Sequence, residues 1–532
     1  MQKTSIYWFR QDLRLSDNPA LHHAAQLSEA QGGDVMLIYI LDDENAGAGR
    51  MGAASRVWLH HSLCSLQQQL GGQLRLFRGD AFEILQQLAT ELQPNIITWN
   101  RCYEPWRIAR DKRIKIMLEQ HNIEAQSFNG SLLFEPWDIV KDDGTPYKVF
   151  TPFYRKGCLS YKEEAHKDEA INEISEEEVA QIEMPMIEIS NSKASKKSLK
   201  SKPQKQGGAK PPRMPLSAPE MTLANIGSPI IKSSSLEISS VEELGLLPKV
   251  KWDNGVASHW DISESGAQKR LYQFIKDGLN GYKEGRNFPA KSHVSRLSPY
   301  LHFGEISPNQ VWHAAQINGE NNADLDHFLS ELGWREFSYN LLYNNPELPI
   351  RNMQSKFDGF AWVENVNHLQ AWQSGNTGIP IVDAGMRELY QTGYMHNRMR
   401  MIVASVLVKN LRLDWRLGER WFWDCLFDAD MANNSASWQW VAGCGADAAP
   451  YFRIFNAVTQ GTKFDEAGAY TRHYVPELRD LPDKYLFEPW IAPPLILQGA
   501  GVQLGKTYPH PIVDLSASRD AALAAFAALK VG

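Results

Sequence analysis

The chain has 532 residues, too many for one ordinary domain, so two or three are expected. Apolar residues make up 43%, ordinary for a soluble globular protein, and the net charge of −7 argues against nucleic acid unless a local basic face exists. Cys64, Cys102, Cys158, Cys425 and Cys444 are scattered with no CxxC pair, which points to reduced thiols rather than a disulfide framework or a zinc site. With no apolar signal core at the start and no run of transmembrane length, a cytoplasmic protein with no membrane partner is expected.

Residues 5–9, 35–40, 74–77 and 96–99 are short apolar runs of the kind that form buried parallel strands. Between them Leu59, Leu63, Leu66 and Leu70 recur at spacings of four and three, one face of a helix starting near Ala53. The alternation predicts an α/β sheet whose ligands sit at the strands' carboxyl ends, where Arg10 to Arg14 follow the first strand. From 165 to 250 the chain turns acidic and then rich in Ser, Lys, Pro and Gly, which predicts a linker with a flexible insertion. Residues 265–478 read as helical throughout, and a Pro-rich tail ends in a helix over 518–529. The expected division is therefore 1–135, a linker over 136–260, a helical domain over 261–480 and an extension over 481–532.

Gly505-Lys506-Thr507 ends like a phosphate loop, but its first glycine is replaced by Ala500 and prolines follow, so it is rejected. No dinucleotide fingerprint, HExxH or clustered Cys/His site is present, and no metal is expected. Residues 286–298 gather Arg286, Ser295, Arg296 and Ser298 at an expected helix start, suited to a pyrophosphate or to plain capping. Glu331 and Arg335 lie one turn apart. Between Tyr394 and Arg420, six basic residues face two acidic ones, interleaved with aromatics, as phosphate and base contacts require. Asp428, Asp430, Asn433, Asn434, Trp438 and Trp440 fall within thirteen residues, a costly set to bury unless it binds something polar and flat. The chain's 17 tryptophans point the same way.

The segments WFRQDLRL (8–15), WREF (334–337), MHNRMRM (395–401), DADMANN (428–434), WQW (438–440) and DAAPYFRIFN (447–456) resemble the signatures of the photolyase/cryptochrome family. The resemblance covers nearly all of the chain except about 165–250. It implies a Rossmann-like α/β antenna domain followed by an all-helical domain holding folded FAD. By position, Tyr282, Val294, Ser295, Arg296, Leu297, Ser298, Asn397, Arg400, Asp428, Ala429, Asp430 and Asn434 would line the flavin. An amide at Asn434 is the photolyase pattern, where plant cryptochromes carry an acid.

The same resemblance implies a pocket of the class I type for cyclobutane pyrimidine dimers in DNA. Trp334 and Trp440 would flank the dimer, Glu331 and Asn397 would hydrogen-bond it, and Met401 would pack on it. Arg286, Arg335, Arg398 and Arg453 would contact DNA. Trp438, Trp415 and Trp362 match the family's electron relay, and Glu331 and Asn434 its catalytic groups. The implied activity is light-driven electron transfer from reduced FAD to the flipped-out dimer by a monomeric enzyme. A signalling cryptochrome is the alternative. Trp106-Arg107 and Pro349-Ile350 stand where folate-binding relatives differ, so the antenna pigment is open between methenyltetrahydrofolate and a deazaflavin or flavin. Tyr394 replaces a common Trp.

Overall fold

The computed structural model describes residues 4–159, 212–217, 226, 237–448, 450–451 and 453–529. Five parallel strands, β1 (Thr4–Phe9), β2 (Asp34–Leu41), β3 (Arg75–Arg78), β4 (Ile96–Asn100) and β5 (Glu124–Phe128), form the N-terminal sheet. The third lies one residue later than its apolar run predicts. Strand β1 is buried from its second residue onward, as a parallel strand covered on both faces must be. The helices between strands are α1 (Pro19–Gln31), α2 (Ala53–Gln69), α3 (Ala81–Leu92) and α4 (Pro105–Gln120). Helix α1 starts where Asn18 accepts the Leu21 N–H and ends at Gly32 in a left-handed conformation.

The strand order is β5-β4-β1-β2-β3-β6, where β6 (Glu237–Ile238) pairs antiparallel with β3. This corrects part of the linker reading. Arg75 pairs with Glu237, Arg213 with Asp17, and Ile226 bridges Val35, so pieces of the 165–250 stretch pack onto the α/β layer. Residues 160–211, 218–225 and 227–236 lie outside the described residues.

Order reverses between β1 and β4, the position where open α/β sheets leave a crevice. Beyond it, Arg14 is fully buried and donates to the carbonyls of Asp17, Gly130 and Gly304. Gly304 has φ +72°, and an added Cβ would lie 2.1 Å from the Gln11 carbonyl oxygen, so only glycine lets the two layers meet there. Glu336 accepts the Leu133 and Phe134 N–H groups at 2.9 and 3.1 Å, and burial raises its carboxyl to about 7. Trp58 of α2 packs among Tyr300, Phe303 and Phe427, so one apolar core runs through both layers.

From Glu264 to Cys444 the described chain forms helices with no strand. The last helix, Leu515–Ala528, starts three residues before its expected place because Asp514 caps it. Its Phe526 stacks on Tyr451 at 4.8 Å, which ties the C-terminal extension to the second core.

Candidate functional site

The polar residues singled out in the sequence gather where helices Ala323–Asn344, Asn397–Ser405, Trp415–Cys425 and Met431–Ala442 approach each other. Asp430 is the N-cap of the last of these, accepting the Asn433 N–H at 2.8 Å. It also accepts the Tyr339 hydroxyl and lies 3.6 Å from His302. Burial alone would raise its carboxyl, but His302, Arg335 and Tyr339 outweigh that and hold it at about 2. Ala429 and Asp428 precede it, both buried, and Asp428 forms a two-oxygen pair with Arg400 at 2.8 and 3.0 Å.

Asn434 is 8% exposed and donates both amide protons to Glu419, at 3.0 Å to its carbonyl and 3.1 Å to its carboxylate. Glu419 thus fixes the orientation of the amide. Burial pushes the Glu419 carboxyl up to about 7, so the amide rests on a group that gives up its charge easily.

Four guanidiniums, Arg286, Arg296, Arg398 and Arg400, act on the buried His396 imidazole, which burial and these charges lower to about 3. His396 Nε2 and Arg398 Nε have no hydrogen-bond partner within the protein. A cradle this cationic, with unsatisfied buried donors, suits an anionic ligand. Arg296 sits at φ +54° and lies over Tyr394 at 5.2 Å. Val294 and Ser295 are half-buried, Leu297 is buried, and Ser298 is exposed at the start of Ser298–Phe303. That helix has six residues and no side-chain cap, so Ser298 does not cap it, and Arg296 is the charged group beside its start.

Glu331 and Arg286 form an ion pair, with His327 3.7 Å from Glu331, and Arg286 lies over the buried Tyr282 ring at 5.4 Å. Trp334 stacks on Phe150 at 3.8 Å and 12°, and the indole remains partly exposed. Asn397 is exposed, Met401 is half-buried 3.9 Å from Arg398, and Arg398 donates to Asn287. Trp440 is half-buried against the second core, and Arg453 is exposed with its carbonyl held by Lys409 at 3.1 Å. Arg335, expected to contact DNA and to pair with Glu331, instead pairs with Glu336, while Glu331 pairs with Arg286. Arg335 turns inward onto the buried Glu336 at 3.2 Å and lies over the Tyr339 ring at 4.9 Å, where a buried carboxylate favours a nearby cation.

Of the three tryptophans expected to form an electron relay, Trp438 and Trp415 are buried and Trp362 is half-buried. Trp415 donates to Asn352 at 2.9 Å, and Trp362 packs on Phe360 at 4.4 Å. Phe150, Glu419, His302 and His396 have no assigned place in the sequence reading. Phe150 lay in the expected linker, and Glu419 meets Asn434 only because two helices cross; neither leaves a local signal. A small cleft beside β1 is lined by Trp8, Arg10, Tyr39, Trp106, Arg107 and Arg110 among others.

Comparison with known proteins matches this architecture in two parts. Residues 5–172 match the DNA photolyase family model, and residues 328–528 match the FAD binding domain of DNA photolyase. The chain is 44% identical to a deoxyribodipyrimidine photo-lyase of Agrobacterium fabrum over 99% of this chain and 98% of that one. It is 34% identical to cryptochrome-2 of Arabidopsis thaliana, covering 98% of this chain and 78% of the relative. A crystal structure of a bacterial class III photolyase from Agrobacterium tumefaciens superposes with a TM-score of 0.84 at 42% identity, covering 100% of this chain and 98% of that one. Sheet, helical layer and sequence agree: the chain belongs to the photolyase/cryptochrome family, with an N-terminal α/β domain and a helical FAD-binding domain.

Proposed function

We propose that the protein is a light-driven lyase that splits cyclobutane pyrimidine dimers in DNA. The observation that carries this reading is Asn434, a neutral amide oriented by Glu419 beside a cationic cradle. Reduced FAD, when bound, supplies the light-excited electron that opens the cyclobutane ring and takes it back afterwards. Arg296 and Arg400 would hold the cofactor's anionic groups, Tyr282 and the 294–298 segment would wall it in, and Asp428 keeps Arg400 in place. Asn434 would stand beside the flavin, where a neutral group avoids repelling the reduced anion.

Trp334, with one face covered by Phe150, offers its other face to an extruded dimer, and Trp440 would close the opposite side. Glu331, with Asn397 and Met401, would contact the pyrimidines. The Arg286–Glu331 pair would open when DNA arrives, transferring Arg286 to a phosphate together with Arg398 and Arg453. Trp362, Trp415 and Trp438 would carry electrons inward from the surface. A second pigment, a folate or a flavin type, would bind near the small cleft beside β1, whose arginines pair with Asp111, Glu104 and Asp42.

The cryptochrome relative, 34% identical over nearly the whole chain, supports a second reading as a photoreceptor without repair activity. One experiment separates the two. Purified holoprotein is illuminated with defined DNA carrying a cyclobutane dimer or a (6-4) lesion, and the bound pigments are read by absorption. Light-dependent loss of the cyclobutane dimer alone is expected. Photoreduction of the flavin with neither lesion repaired overturns the lyase reading in favour of the photoreceptor.

A further inference from the structure

Helix α2 carries His60 and Cys64 one turn apart on one face. His60 Nε2 and Cys64 Sγ are 3.7 Å apart. A nitrogen and a sulfur bound tetrahedrally to one zinc ion, at about 2.0 and 2.3 Å, lie roughly 3.5 Å from each other. Glu242, which opens the short turn Glu242–Leu244, completes the set: one ligand atom from each of the three lies within 4.8 Å of the others. His60 is 7% exposed with a ring nitrogen, Nδ1, that has no partner in the protein. Asp253 is 4% exposed, has an unpartnered carboxylate oxygen, and exerts its charge on both His60 and His61. Two nearly buried, incompletely satisfied groups beside a thiol and a carboxylate are the features of a ligand shell.

We propose that His60, Cys64 and Glu242 bind one Zn(II), with a water in the fourth position. A Cys64 thiolate and the Glu242 carboxylate balance the ion's charge, and coordination releases the thiol proton to solvent. Asp253 adds a further negative charge near the imidazole. The three ligands are invisible to a spacing search because Glu242 lies far along the chain from Cys64, within the expected linker. That separation also defines what the ion does. The returning segment is tied to the sheet by β6, which has only two residues, and by the short helix Asp253–Ala257 packed on α2. A metal joining Glu242 to α2 pins this segment to the antenna layer and closes a long loop.

Cobalt(II) titration of the full-length, chelator-treated holoprotein tests the site, since a thiolate-bound tetrahedral cobalt ion gives ligand-field bands at wavelengths longer than oxidised flavin absorbs. One equivalent is expected to develop these bands, and one equivalent of Zn(II) to remove them. Cys64→Ser, with its flavin content checked as a measure of folding, is expected to abolish them, and Glu242→Gln to weaken binding at least tenfold. Hydrogen exchange over 237–258 is expected to slow on adding Zn(II) to the unaltered protein. Absence of the bands, or the same bands in Cys64→Ser, overturns the assignment; so does exchange that ignores the metal.

Discussion

Asn434 spends both amide protons on Glu419, which fixes the orientation of its amide. Asn434→Asp would put a carboxylate against Glu419 and the reduced flavin anion. We expect the flavin's reduction potential to fall by about 30 mV or more, roughly 1.4 kcal/mol for a two-electron couple; spectroelectrochemistry reads it, and an unchanged potential removes Asn434 from the flavin's edge. Trp334 differs in kind, because Phe150 already holds its ring parallel at 3.8 Å and little ordering remains to be done on binding. Trp334→Ala is expected to weaken binding of dimer-containing DNA by ~1–3 kcal/mol, measured by titration at fixed salt. Trp362 is the partly exposed member of the relay set. Trp362→Phe should slow photoreduction of oxidised flavin while chemically pre-reduced enzyme repairs at the normal rate, and loss of both activities would remove the relay role.

At the scale of elements, helix Met431–Ala442 depends on a cap that is also part of the site. Asp430 satisfies the first-turn donors, takes the Tyr339 hydroxyl and faces His302. Asp430→Ala is expected to cost about 1–2 kcal/mol for the cap alone, with flavin content falling as Tyr339 and His302 lose their partner. Its carboxyl is held at about 2, below the usual 3.8, so the stability it contributes is complete above about pH 4 and lost as pH falls through 2. Chemical unfolding of Asp430→Asn should accordingly show a shallower loss of stability in acid than the unaltered protein.

Across the whole molecule the two layers are joined by buried polar groups as well as by apolar packing. Arg14 reaches Gly304, Glu336 reaches Leu133 and Phe134, and Glu305 accepts Trp58 Nε1 at 3.0 Å. Burial raises the Glu305 carboxyl from 4.5 to about 8. A raised carboxyl favours the folded state fully below its ordinary value, and that contribution disappears as pH rises through 8. Glu305→Gln is expected to flatten the decline in unfolding free energy between pH 5 and 8, read from urea midpoints; an unaltered slope would place the titration elsewhere. Because this carboxyl lies where α2 meets the helical layer, the two layers should loosen together in alkali.

The amino-acid sequence by itself determined the two-layer division, the four buried parallel strands, the face of α2 and the block from Asp428 to Trp440. Each is local: an apolar run, a helical spacing or a cap is written in neighbouring residues. Tertiary structure decided everything that depends on distant segments meeting. It turned Arg335 inward, paired Arg286 with Glu331, set Glu419 under Asn434 and drew part of the expected tether into the sheet as β6. It also placed Glu242 beside His60 and Cys64. The reason is physical: a buried charge takes the nearest opposite charge or hydrogen-bond donor that packing brings to it, and that partner can come from anywhere in the chain.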